Sequence, residues 1–184
     1  QHEGTAARNP RLGDHFPDLK SIEANIQPDG TLDVEQPDLE TLDLVVAAPH
    51  SKLRSEDDQT IRLLTVIATP GVHVLAHPSG RKSGDRAGIL ARWDDVFRAA
   101  AMMNVAVEID GDPSRQDISY MLARQALDAG CIFSLDSDAH SPEELVYAET
   151  AVAHARLAGI PAERIINCWP LDRLLKWATR AWKR

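Results

Sequence analysis

Several short apolar runs of this chain end in a histidine or an acid. His50 follows Leu44–Ala48 and Pro49, His77 follows Val72–Ala76 and precedes Pro78, and Asp136, Asp138 and His140 follow Cys131–Leu135. Glu23 lies inside another apolar run, Ser21–Ile26. Neutral imidazole with carboxylate is the donor mix that suits Zn, Mn or Fe. Several such donors close together can hold more than one ion, and paired ions suit phosphoryl chemistry because they clamp the attacking and leaving oxygens.

Each donor also has a plainer reading. In Asp136-Ser137-Asp138-Ala139-His140 an extended backbone puts residues 136, 138 and 140 on one face. The competing reading is a helix entrance, with the acids at the positive end of the next helix. An isolated His50 or His77 reads as a hydrogen-bonded structural histidine; their separate placement at strand ends argues for ligands. A carboxylate in an apolar strand, such as Glu23, must be paired, metal-bound or protonated.

The loop Ser79–Arg86 follows His77 and Pro78. Its glycines let a ligand approach the backbone, and Arg81, Lys82 and Arg86 could hold phosphate. The plainer reading is a solvated charged loop. No GxxxxGK[ST], GxGxxG or GxSxG is present, which disfavours nucleotide-fold phosphate binding and a nucleophile elbow. His73 shares a face with His77 but sits at the strand start, where a surface role is expected. His154, in an Ala-rich helix, is expected to pack. His2 and His15 carry no signal.

These groups need elements to position them. Strands are expected at Ser21–Ile26, Leu44–Ala48, Val72–Ala76, Val105–Ile109 and Cys131–Leu135, each short, aliphatic and bounded by polar residues. Helices are expected at Glu56–Ala68, Arg92–Met103, Asp117–Ala129, Pro142–Ala158 and Leu171–Trp182. Ser55 and Ser141 are the expected caps, and the last helix is expected on the outside of the sheet. The alternation implies an α/β class with parallel crossovers. Such folds collect functional groups at the carboxyl ends of their strands.

At 184 residues, 43% hydrophobic and 26% charged, the chain fits one globular domain. Residues 1–19 read as a polar tail and residues 20–184 as the domain. Twenty basic against 28 acidic residues give −8, which disfavours a broad electrostatic grip on nucleic acid. No apolar run approaches the ~18 residues that span a bilayer, and the first residues contain no apolar signal-peptide core. Two cysteines without CxxC spacing fit a reducing cytoplasm and are expected as buried thiols.

The segments Ser21-Ile22-Glu23-Ala24-Asn25-Ile26, Val46-Ala47-Ala48-Pro49-His50-Ser51, Leu75-Ala76-His77-Pro78-Ser79-Gly80-Arg81, Val107-Glu108-Ile109-Asp110, Asp136-Ser137-Asp138-Ala139-His140-Ser141 and Asn167-Cys168-Trp169-Pro170-Leu171 fall in this order. Together they resemble the PHP (polymerase and histidinol phosphatase) domain, closest to the version attached to bacterial family X DNA polymerases and its stand-alone relatives. The resemblance runs from about Lys20 to Trp182.

It implies a distorted (β/α)7 TIM-like barrel, two to three divalent ions (Zn, Mn or Fe) and metal-dependent phosphoesterase activity. Residue by residue, it implies Glu23, His50, His77, Asp138 and His140 as metal ligands. Arg81 becomes a phosphate contact, and catalysis is expected to rest on Arg81, Asp138 and His140. Asp110 and Asp136 are expected to line the site. The substrate is expected to be a phosphorylated small molecule or a nucleic acid end, without membrane partners.

The sequence also departs from the family. The opening His-x-His strand and the Thr-Asp-His-like motif are not found; Asp14-His15-Phe16 only echoes the second. Seven family strands less two gives the five read here, which cannot close a barrel and leave two open edges. The expectation is the C-terminal portion of a longer PHP protein, with a missing N-terminal segment, or a homodimer that covers the edges.

Overall fold

The structure is a computed structural model and describes residues 19–182. The tail and the histidines at positions 2 and 15 lie outside the described residues, as does the echo at 14–16.

Among the described residues, five parallel strands form one sheet in the order β1-β2-β3-β4-β5. They are β1 (Ser21–Asn25), β2 (Leu44–Ala48), β3 (Val74–Leu75), β4 (Ala106–Asp110) and β5 (Ile132–Asp136). β3 is shorter than the expected run because its flanks pair by single bonds. His73 N–H donates to Val45 O, and Ala76 N–H to Ala47 O, both at 2.9 Å.

Between the strands lie α1 (Gln36–Leu39), α2 (Thr60–Ala68), α3 (Trp93–Met103), α4 (Tyr120–Asp128) and α5 (Ala148–Ala158), with α6 (Leu171–Ala181) last. The expected N-termini of three helices move. Ser55 caps no helix; its hydroxyl accepts from Asp57 N–H, and Gln59 N–H bonds Leu90 O instead, so α2 starts at Thr60. Ser119 caps α4, and Asp117 is withdrawn into the loop before it. Pro142–Tyr147 is a 3-10 segment leading into α5, and the Ser141 side chain makes no cap.

Alternate residues of the strands face two cores. Ala47, Leu75, Val107, Ile109 and Phe133 meet Leu63, Val66, Phe97, Ala123 and Ala155 of α2–α5. The other face carries Val46, Val74, Ala106 and Ile132, met by Trp177 and Ala178 of α6. α6 thus packs on the face opposite the other helices rather than on the outside. The two faces account for near-continuous apolar strands.

His73 is fully buried, against the expectation of a surface role. Its Nδ1 accepts from Val45 N–H at 3.0 Å, and its Nε2 lies 3.0 Å from Ala178 O. Trp177 and Trp182 flank the ring edge-on. A histidine at a strand start faces the end that α6 covers, and that covering is tertiary.

The β5 edge is less open than expected. Leu135 N–H donates to the Asn167 side chain, and the Asn167 amide donates to Leu135 O, both at 2.9 Å. Ile165 forms a parallel bridge to Phe133. The Asn167 amide therefore satisfies strand groups that would otherwise invite another chain. Cys131 is buried, with its thiol pushed up to about 12 by burial, whereas Cys168 is exposed. Among the described residues, no helix is long and apolar enough to cross a membrane.

Candidate metal centre

Glu23 and Asn25 share the concave face of β1. The carboxyl ends of β2 and β3 bring His50 and His77 to them. His50 Nε2 lies 3.1 Å and His77 Nε2 3.6 Å from Glu23 Oε1. The two imidazole rings are 5.2 Å apart. One donor atom from each of the three residues lies within 4.8 Å of the other two.

The shell around these donors sets their orientation. Asn25 Oδ1 hydrogen-bonds His50 Nδ1, which makes Nδ1 the donor. Nε2 then faces Glu23 with its lone pair unless the ring carries a second proton. Asp33 fixes Asn25 in turn, accepting from its backbone N–H at 2.8 Å and from its side-chain amide. Arg62, buried on α2, donates to Gln27 O and Ser51 O, both at 2.9 Å, and ties together the loops that leave β1 and β2.

His77 sits in a left-handed conformation, φ 25°, uncommon for a residue with a Cβ. Its backbone N–H donates to the buried Glu108 carboxyl at 2.7 Å. Among the described residues neither ring nitrogen of His77 makes a hydrogen bond, although both are buried. A buried polar atom without a partner is costly, and here the His77 ring lies beside the Glu23 carboxylate and the His50 imidazole. That donor set fits Zn, Mn or Fe.

Beside this triad lies a cavity of about 520 Å³. Ser21, Ile22 and Glu23 of β1 form one wall. Glu108, Asp136, Asp138 and His140, from β4 and the end of β5, form the other. The sheet thus curls until its two edge strands face a shared space, as in part of a TIM-like barrel.

The segment after β5 does not stay extended. Asp138 adopts φ 47°, and its N–H donates to Asp136 Oδ1 at 3.2 Å. Asp138 and His140 line the cavity with Glu23 but stand outside the close triad. Asp138 Oδ2 instead lies 3.1 Å from Arg115 Nε. His140 is exposed, with Nδ1 2.7 Å from Asp138 O and its N–H donating to Glu144. Arg81 donates its backbone N–H to Asp117, which also accepts from Ser79, so Asp117 clamps the loop after β3.

The imidazoles of His50, then His77, beside it hold the Glu23 carboxyl well below the usual carboxylate range despite partial burial. Burial opposes protonation of His77, but Glu23 outweighs it and the His77 pKa is raised. Burial raises Asp110 to about 7, against an ordinary 3.8. Burial also raises Glu108 and Asp136, and the neighbouring acids push Glu108 further up.

Sequence reasoning named Glu23, His50 and His77, which the fold brings together, but not the groups that hold them. Glu108 was visible only as a charge in an apolar run, as Glu23 was. Asn25, Asp33 and Arg115 carried no local signal.

No family model matches the chain. It is 32% identical over 155 residues to the DNA polymerase/3'-5' exonuclease PolX of Bacillus subtilis, covering 84% of this chain and 27% of that protein. It is 32% identical over 171 residues to a protein named as a probable phosphatase in Enterobacter sp., covering 88% of this chain and 67% of the relative. A probable phosphatase of Yersinia enterocolitica is 32% identical over 178 residues, 91% of this chain and 70% of the relative. The chain thus spans about a quarter of the polymerase and about two thirds of the phosphatases.

Proposed function

Because this chain belongs to the PHP (polymerase and histidinol phosphatase) family, we propose that it is a metal-dependent phosphoesterase acting on phosphomonoesters or phosphodiesters, DNA 3′ ends among them. The observation that carries the reading is the convergence of Glu23, His50 and His77 on one point, with both nitrogens of the buried His77 unpartnered.

Glu23, His50 and His77 would hold one ion of Zn, Mn or Fe. Asp138 and His140, on the facing wall, would supply donors for one or two more. Divalent ions in such a site lower the pKa of water and neutralise charge that develops on phosphoryl oxygens. The chain's own residues orient the reactants: Arg81 holds a phosphate oxygen, while Asp138 and His140 order the polar groups of the attacking side. The net charge of −8 favours small phosphorylated molecules or single nucleic acid ends over long duplexes. The scarcity of cysteine supports a cytoplasmic setting. A second copy pairing along the outer edge of β1 is a proposal of the same kind, checked by the mass in light scattering.

The test is hydrolysis of a chromogenic phosphomonoester and phosphodiester with Mn²⁺. Activity lost in His50→Ala and Asp138→Ala supports the reading. Equal rates in the wild type and both variants overturn it. A second reading is a PHP domain without turnover, serving structure or a partner. The engagement of Asp138 by Arg115 and the exposure of His140 favour it. Metal uptake without turnover of either substrate would select it.

A further inference from the structure

We propose that Arg115 is a phosphate-binding fork of this centre, contacting the substrate's anionic oxygens directly; this rests on the phosphoesterase reading above.

Arg115 lies in the loop between β4 and α4, which is built as a rigid turn. Asp110 accepts from Asp112 N–H at 2.7 Å. Asp112 accepts from Ser114 N–H at 2.8 Å and from the Ser114 hydroxyl at 2.9 Å. Arg115 N–H and Gln116 N–H both bond Asp112 O. The loop packs tightly under Tyr147: a Cβ on Gly111 would come within 2.1 Å of Tyr147 O, so only glycine fits there.

From this turn the guanidinium reaches Asp138, which lines the cavity, and two acids of its own loop. Its Nε lies 3.1 Å from Asp138 Oδ2, 3.7 Å from Asp112 Oδ2 and 3.8 Å from Asp110 Oδ2. All three contacts use Nε. Among the described residues, Nη1 and Nη2 form no hydrogen bond, and they are not among the buried orphaned atoms. The side chain is 19% exposed.

A planar guanidinium ion-paired on its Nε side, with both terminal amino groups free of hydrogen bonds among the described residues, presents two parallel N–H donors. That geometry matches two oxygens of a phosphate. The surrounding acids keep the fork from swinging away and would repel an anion were the guanidinium absent. Arg81 differs in placement: it lies in the loop after β3, where its backbone N–H donates to Asp117. Arg81 serves the loop side, and Arg115 the metal side.

Two measurements test this. Mn²⁺ uptake and inorganic phosphate affinity are measured by titration on the wild type and Arg115→Lys, which keeps the charge and loses the fork. The expected result is Mn²⁺ uptake within about twofold and phosphate affinity lowered about tenfold or more. The second needs no variant: the wild type is treated with phenylglyoxal, with and without phosphate, and modified arginines are mapped by mass spectrometry. Protection of Arg115 by phosphate is expected. Equal phosphate affinity with Mn²⁺ uptake intact, or equal modification of Arg115 with and without phosphate, overturns the assignment and leaves the phosphoesterase reading standing. A wild type that takes up no Mn²⁺ overturns that reading and this proposal with it.

Discussion

Asn25 decides which nitrogen of His50 faces the centre. Its Oδ1 engages Nδ1, and Nε2 is left pointing at Glu23. Asn25 and Glu23 are two apart on β1, so one strand face supplies both a ligand and the group that orients another ligand.

Removing that orientation should weaken metal binding without unfolding the protein. Asn25→Ala is expected to lower Zn²⁺ or Mn²⁺ affinity about 10–100-fold, the usual effect of losing an outer partner of a ligating histidine. Direct metal titration reads this, and unchanged affinity would show that Asn25 does not set the ring.

Metal should also stabilise the fold. Mn²⁺ at about 100 times its dissociation constant is expected to add about 2.7 kcal/mol, and chelation should reverse it. A thermal midpoint indifferent to Mn²⁺, Zn²⁺ and chelator would exclude a site at Glu23, His50 and His77.

Glu108 is expected to act as a hydrogen-bond acceptor rather than as a charge, because burial beside Asp136 raises its pKa well above the ordinary range while it accepts from His77 N–H. Glu108→Gln should therefore fold with near wild-type stability. Glu108→Ala leaves the His77 N–H buried without a partner, which costs about 1–3 kcal/mol. Denaturant midpoints separate the two, and equal losses would contradict this role.

The metal-free protein should become more stable as pH falls from about 7 towards 4. Asp110 titrates at about 7 in the fold against an ordinary 3.8, so the folded state binds the extra proton in that window and stability declines as pH rises through it. The raised pKa of His77 acts in the same direction: its contribution is full below the ordinary 6.5 and is lost as pH rises through the folded value. Glu23, held low, gives stability above its ordinary 4.5 that is lost only as pH falls through its much lower folded value. Thermal midpoints between pH 4.5 and 7.5 with chelator present check the slope, and a rise with pH would contradict it.

His73 and His77 lie in one segment and should behave oppositely. His73→Ala is expected to cost about 2–3 kcal/mol by stripping the Val45 N–H partner and the contacts with Trp177 and Trp182. Metal affinity should stay unchanged. His77→Ala should abolish metal uptake.

Much was readable from the sequence by itself. The β2 run Leu44–Ala48 matches the strand residue for residue, and the other strands fall within two residues at each end, because aliphatic runs bounded by turn residues have few alternatives. His50, His77, Asp138 and His140 stood out as candidates because parallel sheets gather polar groups at strand ends, and Glu23 because a carboxylate in an apolar run needs a partner. What converges and what is covered belonged to the tertiary structure. His50 meets Asn25 across 25 residues, Glu108 holds His77 across 31, and α6 reaches back 105 residues to bury His73. Local spacing places a side chain on a face. Only the packing of distant segments decides whether that face meets water, a helix or another charge, and so whether Asp138 stands beside His140 alone or against Arg115.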